Sequence, residues 1–219
     1  EVAHFMSFDG HVHEDLGNSY YVRSLYHDNI PATHYHEKID GVSVRRKFRL
    51  RTYGKQYQPG LPIYLEEKGR RIERTYKHRI SIDPDHLDIF ANPRRYEELL
   101  SLYPGVDLVE RFFFDSLRRD IRPLVVVDYI RRPYTSPYDM NFRVTFDSDL
   151  TAANSSVLYP PKSANWNCSH AGHTILEVKF HRRIPAWFHR ILQVHNMHRL
   201  SISKFCEGME ACNLAIDLS

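Results

Sequence analysis

Cysteine is scarce in this chain. Three of its 219 residues, Cys168, Cys206 and Cys212, form an odd, widely spaced set. They build no disulfide framework, which points to a reducing compartment. Long apolar runs are missing as well. The longest in a strand-like stretch, Leu124 to Val127, falls far short of the roughly 20 residues that cross a bilayer. No basic stretch followed by an apolar one opens the sequence, so no secretory leader is read. The expectation is a cytoplasmic chain without a membrane span. Excess charge of one sign is also lacking: 30 Lys and Arg stand against 27 Asp and Glu, a net +3. No broad basic surface is implied, and nucleic acid is not an expected partner. There is no Walker A loop, Gly-rich dinucleotide turn, nucleophile elbow, internal repeat or low-complexity tract.

What is present is ordinary for a globular chain, with 42% hydrophobic and 26% charged residues, enough for one good core. Residues 1–19 are polar and aperiodic and read as a lead-in; residues 20–219 read as a single domain. Strand signals at 20–27, 43–53, 62–68 and 74–82 are separated by turns such as Gln58-Pro59-Gly60. Asn92-Pro93 predicts a helix start, and Pro104-Gly105 its end. A second helix is predicted over 107–119 with Leu108, Phe112 and Leu117 inward. Strands resume at 122–132, 141–147 and 173–182 around a long loop at 148–172. The tail is helical from Pro185, with Trp187, Ile191, Leu192 and His195 on one stripe. The order predicts an α+β fold dominated by an antiparallel β-barrel, with a helical insert and a C-terminal helix.

Six strand-like segments put charge on one face and apolar groups on the other. In the first, Arg45, Lys47, Arg49 and Arg51 alternate with Phe48 and Leu50, and Arg46 breaks the pattern. The others centre on Glu66 and Lys68, on Lys77 and Arg79, on Arg131, on Arg143 and Asp147, and on Glu177 and Lys179. One such strand is a solvated edge. Six suggest that the charged face is itself an interior. Desolvated cations in that number need a partner, and a phosphate chain suits Arg forks and Lys point charges. Glu66 and Glu177 sit among the cations. They either neutralise their neighbours or hold a divalent metal, and the residues alone leave both roles open.

The runs Val22-Arg23-Ser24-Leu25-Tyr26, Arg46 to Gly54, Leu65-Glu66-Glu67-Lys68 and Tyr129-Ile130-Arg131 resemble the VTC domain. So do Arg143 to Asp147, Leu176-Glu177-Val178-Lys179 and Ser201 to Phe205. That domain is the polyphosphate polymerase module of the vacuolar transporter chaperone family, among the triphosphate tunnel metalloenzymes, and this chain is expected to join its bacterial members. The resemblance implies a tunnel that takes ATP, triphosphate or polyphosphate with Mn²⁺ or Mg²⁺. It implies a catalytic set of Arg49, Arg51, Lys68, Arg131, Arg143 and Lys204, further phosphate contacts from Lys77, Arg79, Tyr129 and Ser203, and a metal at Glu177; Glu66 joins it as a metal candidate on the residues alone.

The family's usual opening, a strand carrying Glu-x-Lys and then a helix, has no match in residues 1–19. This implies a missing N-terminal strand and helix, or one absent tunnel wall. Ser201 stands where fungal relatives have Lys, with Arg199 as a stand-in. The implied activity is ATP-dependent polyphosphate synthesis. A tunnel triphosphatase and a non-catalytic polyphosphate or nucleotide sensor are the alternatives. His11-x-His13-Glu14 and Cys168-x-His170-x-x-His173 lack the four-ligand spacing of a structural zinc site and read as surface histidines.

Overall fold

The alternation along residues 45–51 is carried into three dimensions. In the computed structural model, which describes residues 1–10 and 12–215, β3 (Val44–Thr52) sends Phe48 and Leu50 into the core. Its Lys47, Arg49 and Arg51 face the other way, into a groove. The sheet containing β3 runs β5 (Arg74–Ile82), β4 (Ile63–Arg71), β3, β2 (Tyr20–Asp28), β6 (Arg122–Thr135), β7 (Arg143–Asn154) and β8 (Asn167–Cys168). The short β1 (Ser7–Phe8) adds to β6, and β9 (Ile175–Lys179) adds to β7. Every pairing is antiparallel, as the sequence predicts. The sheet is a curled half-barrel, and among the described residues no ladder joins β5 to β9.

Helices cover both faces. On the face of Phe48 lie α2 (Leu87–Ala91), α3 (Glu98–Leu102) and α4 (Asp107–Arg119). Phe112 of α4 is the hub there, with ring centroids 5.4 Å from Phe48, 5.6 Å from Phe90 and 4.9 Å from Tyr96. Burying such a ring contributes roughly 1.5–3 kcal/mol. Arg46 belongs to this face: its guanidinium makes two bonds to the buried Asp115 of α4, at 2.8 and 2.7 Å. The groove face is covered in part by α6 (Lys204–Ala211), whose Phe205, Cys206 and Met209 pack on Val22, Val125 and Val127. α1 (Thr33–Ile39) flanks it, with the Tyr35 hydroxyl donating to Glu210 at 2.9 Å. α5 (Ala186–Val194) closes a third cluster with Phe188 against Phe142 and Val144, opposite Arg143 and Thr145.

Several expectations need correction. Leu117 is 70% exposed, and the inward stripe of α4 is Leu108, Val109, Phe112 and Asp115. At 3.6 residues per turn, Leu117 lies about 140° from Phe112. The helix expected from Asn92 breaks into a 3₁₀ turn, Pro93–Arg95, and the five-residue α3. Asn92 does cap the turn, accepting from the Arg94 amide. Within the predicted loop at 148–172, β7 runs on to Asn154. The polar Ser148-Asp149 is absorbed by a bulge, with Asp149 at φ 55°. The tail is two helices, and His195 is off the apolar stripe, paired with Glu1. Arg23, in a motif that carried the resemblance, is structural: it grips Asp128 at 2.8 and 2.6 Å. The aperiodic lead-in is tied down by β1 and by the buried Met6. Among the described residues no helix is long and apolar enough to cross a membrane.

The seat of α6 depends on Gly208. A Cβ there would stand 2.6 Å from the Val127 Cγ2 and 3.4 Å from the Ala152 Cβ. Gly208→Ala raises helix propensity by about 1 kcal/mol, but the clash forces α6 off the sheet, a cost of about 1–3 kcal/mol. The expected result in urea denaturation is a lower midpoint for Gly208→Ala. A higher midpoint would show that propensity outweighs packing.

Candidate functional site

Strand register assembles the site in rows. Tyr26 lies opposite Arg49, Arg49 opposite Glu66 and Glu66 opposite Arg79, across four strands. In the next row Lys47 lies opposite Lys68 and Lys68 opposite Lys77. Like charges directly opposite one another destabilise a sheet, so this row works against stability. On the far side of the groove Arg131 lies opposite Asp147, Thr145 opposite Glu177, and Arg143 opposite Lys179.

Glu66 is fully buried. Its Oε2 accepts from Arg49 Nε at 2.8 Å and meets Arg49 NH2 at 2.6 Å; its Oε1 pairs with Lys77. Burial alone would raise its pKa, but Arg49, Arg51 and Lys77 outweigh that and bring it to about 2. On the other wall, Arg131 makes two 2.7 Å bonds to Asp147 and one of 3.0 Å to Glu177. Lys204, at the start of α6, reaches Asp147 at 2.7 Å and Glu177 at 4.0 Å. Ser203 caps α6 through the Cys206 amide and accepts from Lys47 Nζ at 3.2 Å. Burial would raise the Glu177 carboxyl, but Arg131, Lys204 and Lys179 hold it below the usual range.

These walls enclose a groove of about 1940 Å³, bordered by fifteen of the chain's 30 Lys and Arg but only two carboxylates, Asp9 and Glu177. The cations divide into two sets. Arg49, Arg131, Arg143, Lys77 and Lys204 each have a carboxylate partner, Arg143 through Asp9 at 2.6 Å. Lys47, Lys68 and Arg79 have none among the described residues. Lys47 rests over the Phe205 ring at 4.8 Å, and Arg79 over the Tyr64 ring at 4.6 Å. Burial pushes the Lys47 ammonium down to about 8, against the pull of Tyr26. Enclosure by the groove, then the Arg49 charge, pushes Lys68 down too.

The structure therefore brings Arg49, Arg51, Lys68, Lys77, Arg79, Arg131, Arg143, Lys204, Tyr129, Ser203 and Glu177 to one groove. Glu66 lies behind it, its Oε2 on Arg49 and its Oε1 in an ion pair with Lys77. Although Arg46 borders the groove, Asp115 holds its guanidinium. The sequence reading left out Lys47, Asp147, Asp9 and Tyr26. Lys47 was visible in the alternation, and Asp147 was seen without its bond to Arg131. Asp9 could not be found, because it reaches Arg143 across 134 residues. Among the described residues no three His, Cys, Asp or Glu side chains form a metal cluster. His170 pairs instead with Glu207 at 2.6 Å. His11 lies outside the described residues.

A model of the VTC domain matches residues 1–213. Membership in that family supports a polyphosphate-related function. Comparison with curated proteins finds no match. Among solved structures the chain is similar to the PH1819 protein of Pyrococcus horikoshii OT3, over 88% of this chain and 84% of that one. The identity is 11% and the TM-score 0.37, too distant to carry an argument.

The division of the cations makes a test. Lys68→Met removes a charge that makes no ion pair among the described residues, so tripolyphosphate binding should weaken by about 1.5–3 kcal/mol with folding stability unchanged or raised. Arg46→Ala strands the buried Asp115. It should lower stability by about 1.5–3 kcal/mol and leave the tripolyphosphate affinity near wild type. Calorimetry and urea denaturation of both variants read the two effects, and the reverse assignment would remove the alternation argument.

Proposed function

We propose that this chain, which belongs to the VTC domain family, is a phosphotransferase that binds ATP in the basic groove and extends a polyphosphate chain. The observation that carries the reading is the charge of the groove, fifteen cations against two carboxylates. Such a surface has no use for a neutral ligand. The opposed lysines of β3, β4 and β5 remain a liability until an anion lies across them.

Phosphoryl transfer asks little covalent chemistry of a protein; positioning and charge stabilisation supply most of the rate. In this reading Arg49, Arg51, Lys68, Lys77 and Arg79 align phosphates along one wall, and Arg131, Arg143 and Lys204 along the other. Arginine forks fix phosphate orientation, while the lysines act as point charges. Tyr129 and Ser203 add hydroxyl groups where α6 meets β6.

The residue that fits a divalent ion is Glu177. Its side chain is 38% exposed and borders the groove. Beside it on β7, the buried Thr145 hydroxyl has no hydrogen-bond partner among the described residues. One carboxylate completed by phosphate oxygens and water is a common Mg²⁺ arrangement. Mn²⁺ or Mg²⁺ bound there would add positive charge against the phosphate oxygens.

Incubation with ATP and Mn²⁺ or Mg²⁺ should yield ADP and a polymer, resolved by gel and ³¹P NMR. Orthophosphate alone would make the protein a triphosphatase, and no turnover would make it a sensor. Glu177→Gln keeps the shape and removes the charge that a hard cation requires. It should abolish turnover and still bind tripolyphosphate; wild-type turnover in that variant would place the metal elsewhere.

A further inference from the structure

Tyr26 is 3% exposed and borders the groove. Its oxygen accepts from Arg49 NH1 at 2.8 Å, while Arg49 Nε and NH2 serve Glu66. Among the described residues no acceptor takes the Tyr26 hydroxyl proton. The charged groups around it are one-sided. β3 contributes Arg49, Arg51 and Lys47, and β4 contributes Lys68 with Glu66 behind Arg49. From α6 come the Phe205 ring at 5.1 Å and, beside Lys47, the Cys206 thiol. Buried donors without acceptors are unfavourable, and three cations favour the anion.

Resting on the phosphate-groove reading, we propose that Tyr26 is a proton-coupled phosphate-binding residue: a phenolate counter-ion to Arg49 in the free protein, which takes up a proton and donates its hydroxyl to a phosphate oxygen when a polyanion binds. The proton comes from solvent, and no bond other than O–H forms. The arriving phosphate oxygen supplies the acceptor that the hydroxyl lacks, and its charge beside the phenolate drives the protonation. The electrostatics agree. Burial would raise the phenol, but Arg49, then Arg51 and Lys47, outweigh it and bring it down to about 7. A group that binds a proton on complexation makes affinity fall as pH rises above its free-state pKa, by up to about tenfold per pH unit.

Tyrosinate absorbs at longer near-ultraviolet wavelengths than tyrosine, so the event has its own signal. Tripolyphosphate is titrated into the protein at about pH 8, a value just above the free-state pKa. Calorimetry measures binding, and ultraviolet difference spectra follow the tyrosinate band. Lys47 is also held near 8 by burial, so proton uptake alone does not identify the group and the spectrum decides. The expected result is loss of the tyrosinate band in step with binding. In Tyr26→Phe, binding should occur without that spectral change and with a flatter dependence on pH. Binding with no change in the wild-type band overturns the proposal and leaves the groove reading intact. So does the same spectral change in Tyr26→Phe. Absence of tripolyphosphate binding overturns both. If Tyr26→Phe does not fold, the same titration with the groove's other tyrosines (Tyr20, Tyr53, Tyr64, Tyr76 and Tyr129) replaced singly by Phe decides the matter: the spectral change should persist in each, and its loss in one overturns the proposal.

Discussion

Glu66 sits at the centre of the β3–β4–β5 wall with no exposed surface, and the geometry of that wall depends on its two oxygens. One holds Arg49 through Nε and NH2; the other holds Lys77. A lone buried carboxylate carries a desolvation cost of several kcal/mol, and each buried cation beside it carries the same. Set in one row, the two costs offset each other and fix the guanidinium of Arg49 toward Tyr26 and the groove. The carboxylate stays ionised down to about pH 2. Its depressed pKa makes a contribution to stability that is fully present above the usual Glu range and is lost only as pH falls through the folded value.

Neutralisation stops short of completion, and the shortfall is local. With a net charge of +3, the chain is nearly balanced as a whole, yet half of its cations border one groove. The carboxylates opposing them are mostly set into the walls: Glu66 and Asp147 are buried. A wall built this way is rigid and basic at once, because each buried carboxylate orients an arginine without reaching into the groove. Lys47, Lys68 and Arg79 are among the groove cations left without a carboxylate partner among the described residues, held over aromatic rings or facing like charges.

Most of the sheet and much of the site were legible in the sequence, because both rest on the two-residue period of a strand. Phe48 against Arg49 and Val144 against Arg143 are read without tertiary information. Glu66 illustrates where this ends. Its type and position suit a metal ligand and a neutralising neighbour equally, and its ion pairs with Arg49 and Lys77 come from strand register and side-chain reach that the alternation does not carry. Leu117 failed because a helix stripe read from three apolar positions tolerates a misplaced third. The β7 bulge failed because Ser148-Asp149 has turn chemistry that the pairing with β6 overrides. Asp9 and the seat of α6 are long-range facts with no local signature.

A wall of opposed lysines set on a buried carboxylate carries repulsion that a bound polyanion relieves, and a ligand that binds only the folded state stabilises it by mass action. The most direct measurement is the melting temperature in tripolyphosphate and in sodium chloride at equal ionic strength. The account predicts a large rise with tripolyphosphate and little change with chloride. Equal shifts in the two salts would mean that the cations of the groove are merely screened, and would contradict a built polyanion site.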